Sequence, residues 1–156
     1  MEFVVLLATP IAGALLLAVW GDRRWAAEIN IGLSFATFLA AAALTIRVIG
    51  EGNLVAWREQ FFLDPFNVFL VALTAFVGLT TAIFSRPYMR VEIEHGRLSA
   101  RRLRLYHSMY QLFMAMMLVA LTTNNMGLLW VAMEAATLST VLLVTLYRTP
   151  ASLEAG

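Results

Sequence analysis

Five continuous apolar runs leave this chain few ways to fold. They are Phe3–Trp20, Trp25–Ile46, Phe66–Phe84, Tyr106–Thr123 and Met126–Tyr147. A helix needs about 20 residues to cross the hydrocarbon core of a bilayer, and each run is of that order. None alternates polar and apolar residues as a barrel strand would. Each must therefore bond its own backbone as a helix, since lipid offers no partner. The composition agrees: 61% of residues are hydrophobic and 13% are charged, where a soluble domain carries about a quarter charged. The expected fold is an all-α membrane protein with five transmembrane helices in one membrane domain, 1–156. Pro10 is expected to kink the first span, because proline removes a backbone donor. That span lacks a positive leader and is followed at once by another, so it reads as a retained helix rather than a signal peptide.

The arginines set the expected orientation. All eleven basic residues are arginine. By alternation of the spans, Arg23, Arg24, Arg86, Arg90, Arg97, Arg101, Arg102, Arg104 and Arg148 fall on one side, and Arg47 and Arg58 on the other. Nine against two places the N-terminus outside and the C-terminus in the cytoplasm. The Arg47–Pro65 connection carries Trp57, Phe61 and Phe62. Such aromatics suit the headgroup level, and a short strand, hairpin or interfacial piece is expected there. The Ser85–Leu105 segment reads as an arginine-rich loop whose charges topology alone explains, although a lipid-headgroup or subunit contact is also open.

Few residues offer chemistry. There is no cysteine, which removes disulfides and thiolate metal sites. His95 and His107 have no metal spacing. No phosphate loop, nucleophile triad or haem ligand set is visible, so the chain holds no redox site of its own. Glu134 is the exception. It lies eight residues after Met126 and thirteen before Tyr147, deep in the fifth span. A charge at that depth costs about 2.5 to 3.5 kcal/mol on insertion scales, and desolvation favours the protonated carboxyl. A carboxyl that changes protonation with its surroundings is what a proton relay requires. The plainer alternative is a neutral glutamate hydrogen-bonded to a neighbouring helix; intramembrane carboxyls favour the relay. Gly127, Val131, Glu134, Leu138 and Val141 share one helical stripe, expected to be a buried face. Thr137, one turn on, is a further candidate, although back-bonding to its own helix explains it as well. His107, with Tyr110 and Gln111 at i+3 and i+4, forms a polar corner. It could admit protons or serve as an interfacial anchor, and the anchor is the favoured reading.

The stretch "SRPYMRVEIEHGRLS" followed by "YHSMYQLFMAMMLVALTTNNMGLLWVAMEAATLSTVLLVTLYRTPASLEA" resembles the antiporter-like membrane subunits of complex I, in particular the hydrogenase-4 and formate hydrogenlyase branch. The "YMR.E..HG.LS" loop, the "T.NN" turn, the "EA.TLS" core and the "SLEA" tail carry the likeness, with "DPF" before the third span as weaker support. Phe66 to Ala155 is the strong portion; the first two spans match mainly in pattern.

The resemblance implies that Glu134 is a proton-pathway residue communicating with a lysine on a later span. It implies a component of a proton-translocating arm coupled to a hydrogenase or NADH dehydrogenase-like complex in a bacterial or archaeal inner membrane. Partners would be other membrane subunits and the lipid bilayer, with no nucleic acid. Iron–sulfur, nickel–iron or flavin centres would sit in partner subunits, with no cofactor in this chain. Family members continue through more spans, whereas this sequence contains no lysine and closes at Gly156. The expectation is a truncated or split N-terminal portion of a larger subunit. A non-transporting scaffold, or part of a cation/proton antiporter complex without a redox arm, are the competing readings.

Overall fold

The computed structural model describes residues 1–96, 98–147 and 154. Arg97, Arg148 and three of the four "SLEA" residues (Ser152, Leu153 and Ala155) lie outside the described residues. The elements run α1 (Glu2–Trp20), α2 (Ala26–Glu51), β1 (Leu54–Ala56), β2 (Phe61–Leu63), α3 (Pro65–Glu94), α4 (Ala100–Thr122) and α5 (Met126–Val144), the last followed by a 3₁₀ turn at Thr145–Tyr147. All five helices are long and apolar enough to span a membrane.

The starts of α3, α4 and α5 are set by capping chemistry rather than by where hydrophobicity begins. Asp64 accepts hydrogen bonds from the Phe66 and Asn67 amides, and the Asn67 side chain accepts from the Asp64 amide. This reciprocal box starts α3, with Pro65 in the first turn, where its missing N–H costs nothing. Ser99 caps α4 and Asn125 caps α5 through its side-chain oxygen. Helix α3 runs ten residues past Phe84, and α4 starts six before Tyr106. The expected Ser85–Leu105 loop is thus mostly helix; among its described residues only His95–Ser99, less Arg97, is irregular. The apolar runs underestimate these helices because their polar last turns can stand beyond the hydrocarbon. Helix α1 continues unbroken through Pro10.

The helices α1, α2, α3 and α4 pack in a ring, each against the next, and α4 closes onto α1. Helix α5 joins from outside and leans on α4. The expected hairpin is present: β1 and β2 pair antiparallel, Leu54 opposite Leu63. Its turn holds three consecutive non-glycine residues in the left-handed region, Trp57 (φ 49°), Arg58 (φ 55°) and Glu59 (φ 66°). Each costs about 1–2 kcal/mol there, so neighbours must hold the turn. Trp57 and Phe61 make edge contacts with each other and with Phe3 at the start of α1. On the other side, the Gln60 carbonyl accepts from the Asn124 amide (2.7 Å) and from the Thr123 hydroxyl (3.2 Å), and Asn125 Nδ2 donates to Gln60 Oε1 (2.6 Å). The "T.NN" turn is therefore the anchor that ties the hairpin to the α4–α5 corner.

Candidate functional site

Helix α5 meets α4 through small side chains. Its buried residues are Ala132, Ala136 and Ser139, a spacing that lets two helices approach closely in a membrane. Glu134 is two residues from both Ala132 and Ala136, about 200° around the helix. It therefore points away from α4 and is exposed. Among the described residues it makes no hydrogen bond or ion pair. Most of the stripe expected to be buried is instead open: Val131 is 53% and Leu138 63% exposed, Gly127 is exposed too, and only Val141 is half-buried. The reason is steric. Alanine and serine allow the closer approach, so they take the α4 side and the larger residues of the glutamate face are left outward.

Thr137 is also exposed, and its hydroxyl donates to the Met133 carbonyl at 2.8 Å. The back-bonded geometry is thus the one present, which leaves the oxygen's lone pairs free to accept from a neighbour. Trp130 and Met133 complete an exposed apolar border around Glu134.

His107, Tyr110 and Gln111 lie elsewhere, inside the ring. They are 2%, 6% and 1% exposed, so this corner is packed between helices rather than presented as an interfacial anchor. Tyr110 donates its hydroxyl to the Gly78 carbonyl on α3. Gln111 Nε2 donates to Asn30 Oδ1 (2.8 Å) and the Ser34 hydroxyl (3.2 Å) on α2. Ser108 donates to the Ala14 carbonyl on α1 (3.0 Å). A polar seam thus joins α1, α2 and α4 within the apolar ring, and Asn30 and Ser34 went unnoticed in the sequence. A signal was there: Asn30, Ser34 and Thr37 recur at i, i+4 and i+7 within one apolar run. His107 and Glu134 are not brought together; one is inside the ring and the other on the outer face of α5.

No protein-family model matches the chain. Two curated proteins are similar to it. A hydrogenase-4 component F homolog from Methylacidiphilum infernorum (isolate V4) is 42% identical over all of this chain, which spans 32% of that protein. An NADH-quinone oxidoreductase subunit N 1 from Opitutus terrae is 34% identical over 72% of this chain, spanning 24% of that protein. The chain thus spans about a third or less of the length of the relatives it matches.

Proposed function

Because this chain is a relative of the antiporter-like membrane subunits of the complex I/Mrp superfamily, we propose that it contributes part of a proton-translocating membrane arm in which Glu134 relays protons. The observation that carries the reading is the placement of a carboxyl, without a partner among the described residues, on the exposed face of a helix long and apolar enough to span a membrane. A charged side chain at the centre of a bilayer costs about 2.5 to 3.5 kcal/mol on insertion scales. A cation brought within 4 Å offsets that by about 4 kcal/mol at an effective dielectric constant of 20. The two magnitudes are close, so a cationic side chain that approaches and withdraws would alternately favour and disfavour the charge that a relay needs at this depth. Thr137, one turn away, can accept a hydrogen bond from the protonated carboxyl or from a relay water.

That cation would come from a further helix seated on α5, because this sequence has no lysine and, among the described residues, the arginines lie near helix ends or in the connecting turns. The five spans would then form one portion of a larger membrane domain. The arginine asymmetry supports an outward N-terminus and a cytoplasmic C-terminus, in the inner membrane of a bacterium or archaeon. Electron transfer would occur in partner subunits carrying iron–sulfur, nickel–iron or flavin centres.

The test is Glu134→Gln in the assembled complex, with proton uptake and subunit stoichiometry measured together. The relay predicts normal assembly with proton movement lowered roughly ten-fold or more, the scale of losing a positioned acid–base group. Normal assembly with undiminished proton movement would instead favour a scaffolding role, for which the open apolar face of α5 provides a docking surface.

A further inference from the structure

At the arginine-bearing end of the ring, α2, α3 and α4 leave a cleft of about 440 Å³. Arg23, Arg24, Arg86 and Arg90 line it. Three residues of α4 also line it: Ala100, Leu103 and His107, at i, i+3 and i+7 on one helix face. His107 is the innermost, about 10 Å along the helix from Ala100. It is 2% exposed, and its Nδ1 has no hydrogen-bond partner. Buried polar atoms of this kind are rarely left unpaired. Here the unpaired atom belongs to a side chain that borders an open cleft.

The electrostatics favour an anion. The first turns of α2 and α4 both border the cleft, through Ala27 and Ala100, and helix N-termini carry partial positive charge. Carboxylates are present as well, and they take up some of the arginines. Glu28 holds Arg86 at 2.5 Å and sits 3.8 Å from Arg90. Asp22 and Glu94 also line the cleft, and Asp22 lies 4.0 Å from Arg104. Among the described residues Arg23 and Arg24 have no ion pair, so two guanidinium groups remain free for a ligand. The remaining walls include Met89, Ile93 and Leu98, which suit hydrocarbon rather than a freely hydrated ion.

We propose that this cleft binds the phosphate of an anionic phospholipid, with Arg23 and Arg24 on its oxygens, the His107 ring as a neutral donor at its inner end, and the apolar walls against the glycerol and upper acyl chains. The site is independent of the proton-relay reading. The full chain, purified in mild detergent, would be offered dioleoyl phosphatidylglycerol, dioleoyl phosphatidylcholine or inorganic phosphate, and adducts counted by native mass spectrometry. Phosphatidylglycerol should be retained over phosphatidylcholine. The double variant R23Q/R24Q should lower that retention roughly ten-fold or more, given the usual worth of a juxtamembrane arginine. H107F should also weaken it, and H107N, which restores a donor, should recover part of the loss. R101Q/R102Q removes the same charge from α4 residues that do not line this cleft and should change little. Circular dichroism would verify that each variant keeps its helices. Equal retention of the two lipids, or an equal loss in R101Q/R102Q, overturns the site. Binding of inorganic phosphate with the same variant dependence, and none of phosphatidylglycerol, overturns the lipid assignment.

Discussion

Helices α4 and α5 are adjacent in sequence and in space, yet they treat intramembrane polarity in opposite ways. On α4, Gln111 and Ser108 are buried, and each donates to a neighbouring helix of the same chain. On α5, Glu134 faces outward and has no partner among the described residues. The α4 groups hold the ring together, since a buried donor loses most when its partner is removed. Among the described residues Glu134 takes no part in this packing. The contrast separates polar residues that build the bundle from a carboxyl that the bundle displays.

The variants that probe this contrast differ in size of effect. Glu134→Gln should act on function alone, lowering proton movement in the assembled complex roughly ten-fold or more while the melting behaviour of the chain itself stays unchanged. An isolated chain destabilised by that variant would break the distinction. Ala136→Leu should push α5 off α4 at a cost of about 1–3 kcal/mol, the range for overpacked sites. Leu138→Ala, on the open face, should cost the isolated chain nearly nothing. Unfolding in mixed detergent micelles would compare the two. Gln111→Leu should cost about 1–2 kcal/mol by stranding Asn30 and Ser34, read from the same unfolding curves. The smallest effect is expected at the hairpin. Arg58→Gly relieves one left-handed residue and should stabilise by at most about 1 kcal/mol, because glycine also raises the entropy of the unfolded chain.

The spans and the hairpin were legible because they rest on local properties. A run such as Met126–Val144 has no soluble alternative, and Trp57, Phe61 and Phe62 mark an interfacial piece by their chemistry. Helix ends were less legible. Helix α3 stops at Glu94, where Gly96 takes φ 68°, rather than at Phe84 where the apolar run ends. What the sequence could not convey is which face of α5 is covered. A stripe through Glu134 and a stripe through Ala132, Ala136 and Ser139 are both helical. The choice depends on how closely α4 can approach, which is a property of the pair. The Gln111–Asn30 bond, spanning 81 positions, is hidden for the same reason. Glu134 could be singled out because its cost is intrinsic to its depth; its outward direction could not.

The register of Glu134 on α5 also has an electrical meaning. It lies nine residues beyond the cap at Asn125, or about 13 Å along the helix axis, in a hydrocarbon layer about 30 Å thick. A proton reaching it from either surface crosses roughly half of the membrane potential. At 100 mV that is about 1.1 kcal/mol, half of the 2.3 kcal/mol for a full crossing. If Glu134 relays protons as proposed, the ratio of protonated to ionised carboxyl should therefore shift about six-fold per 100 mV, in opposite directions for access from the two sides. The voltage dependence of proton uptake would then report which side has access to Glu134.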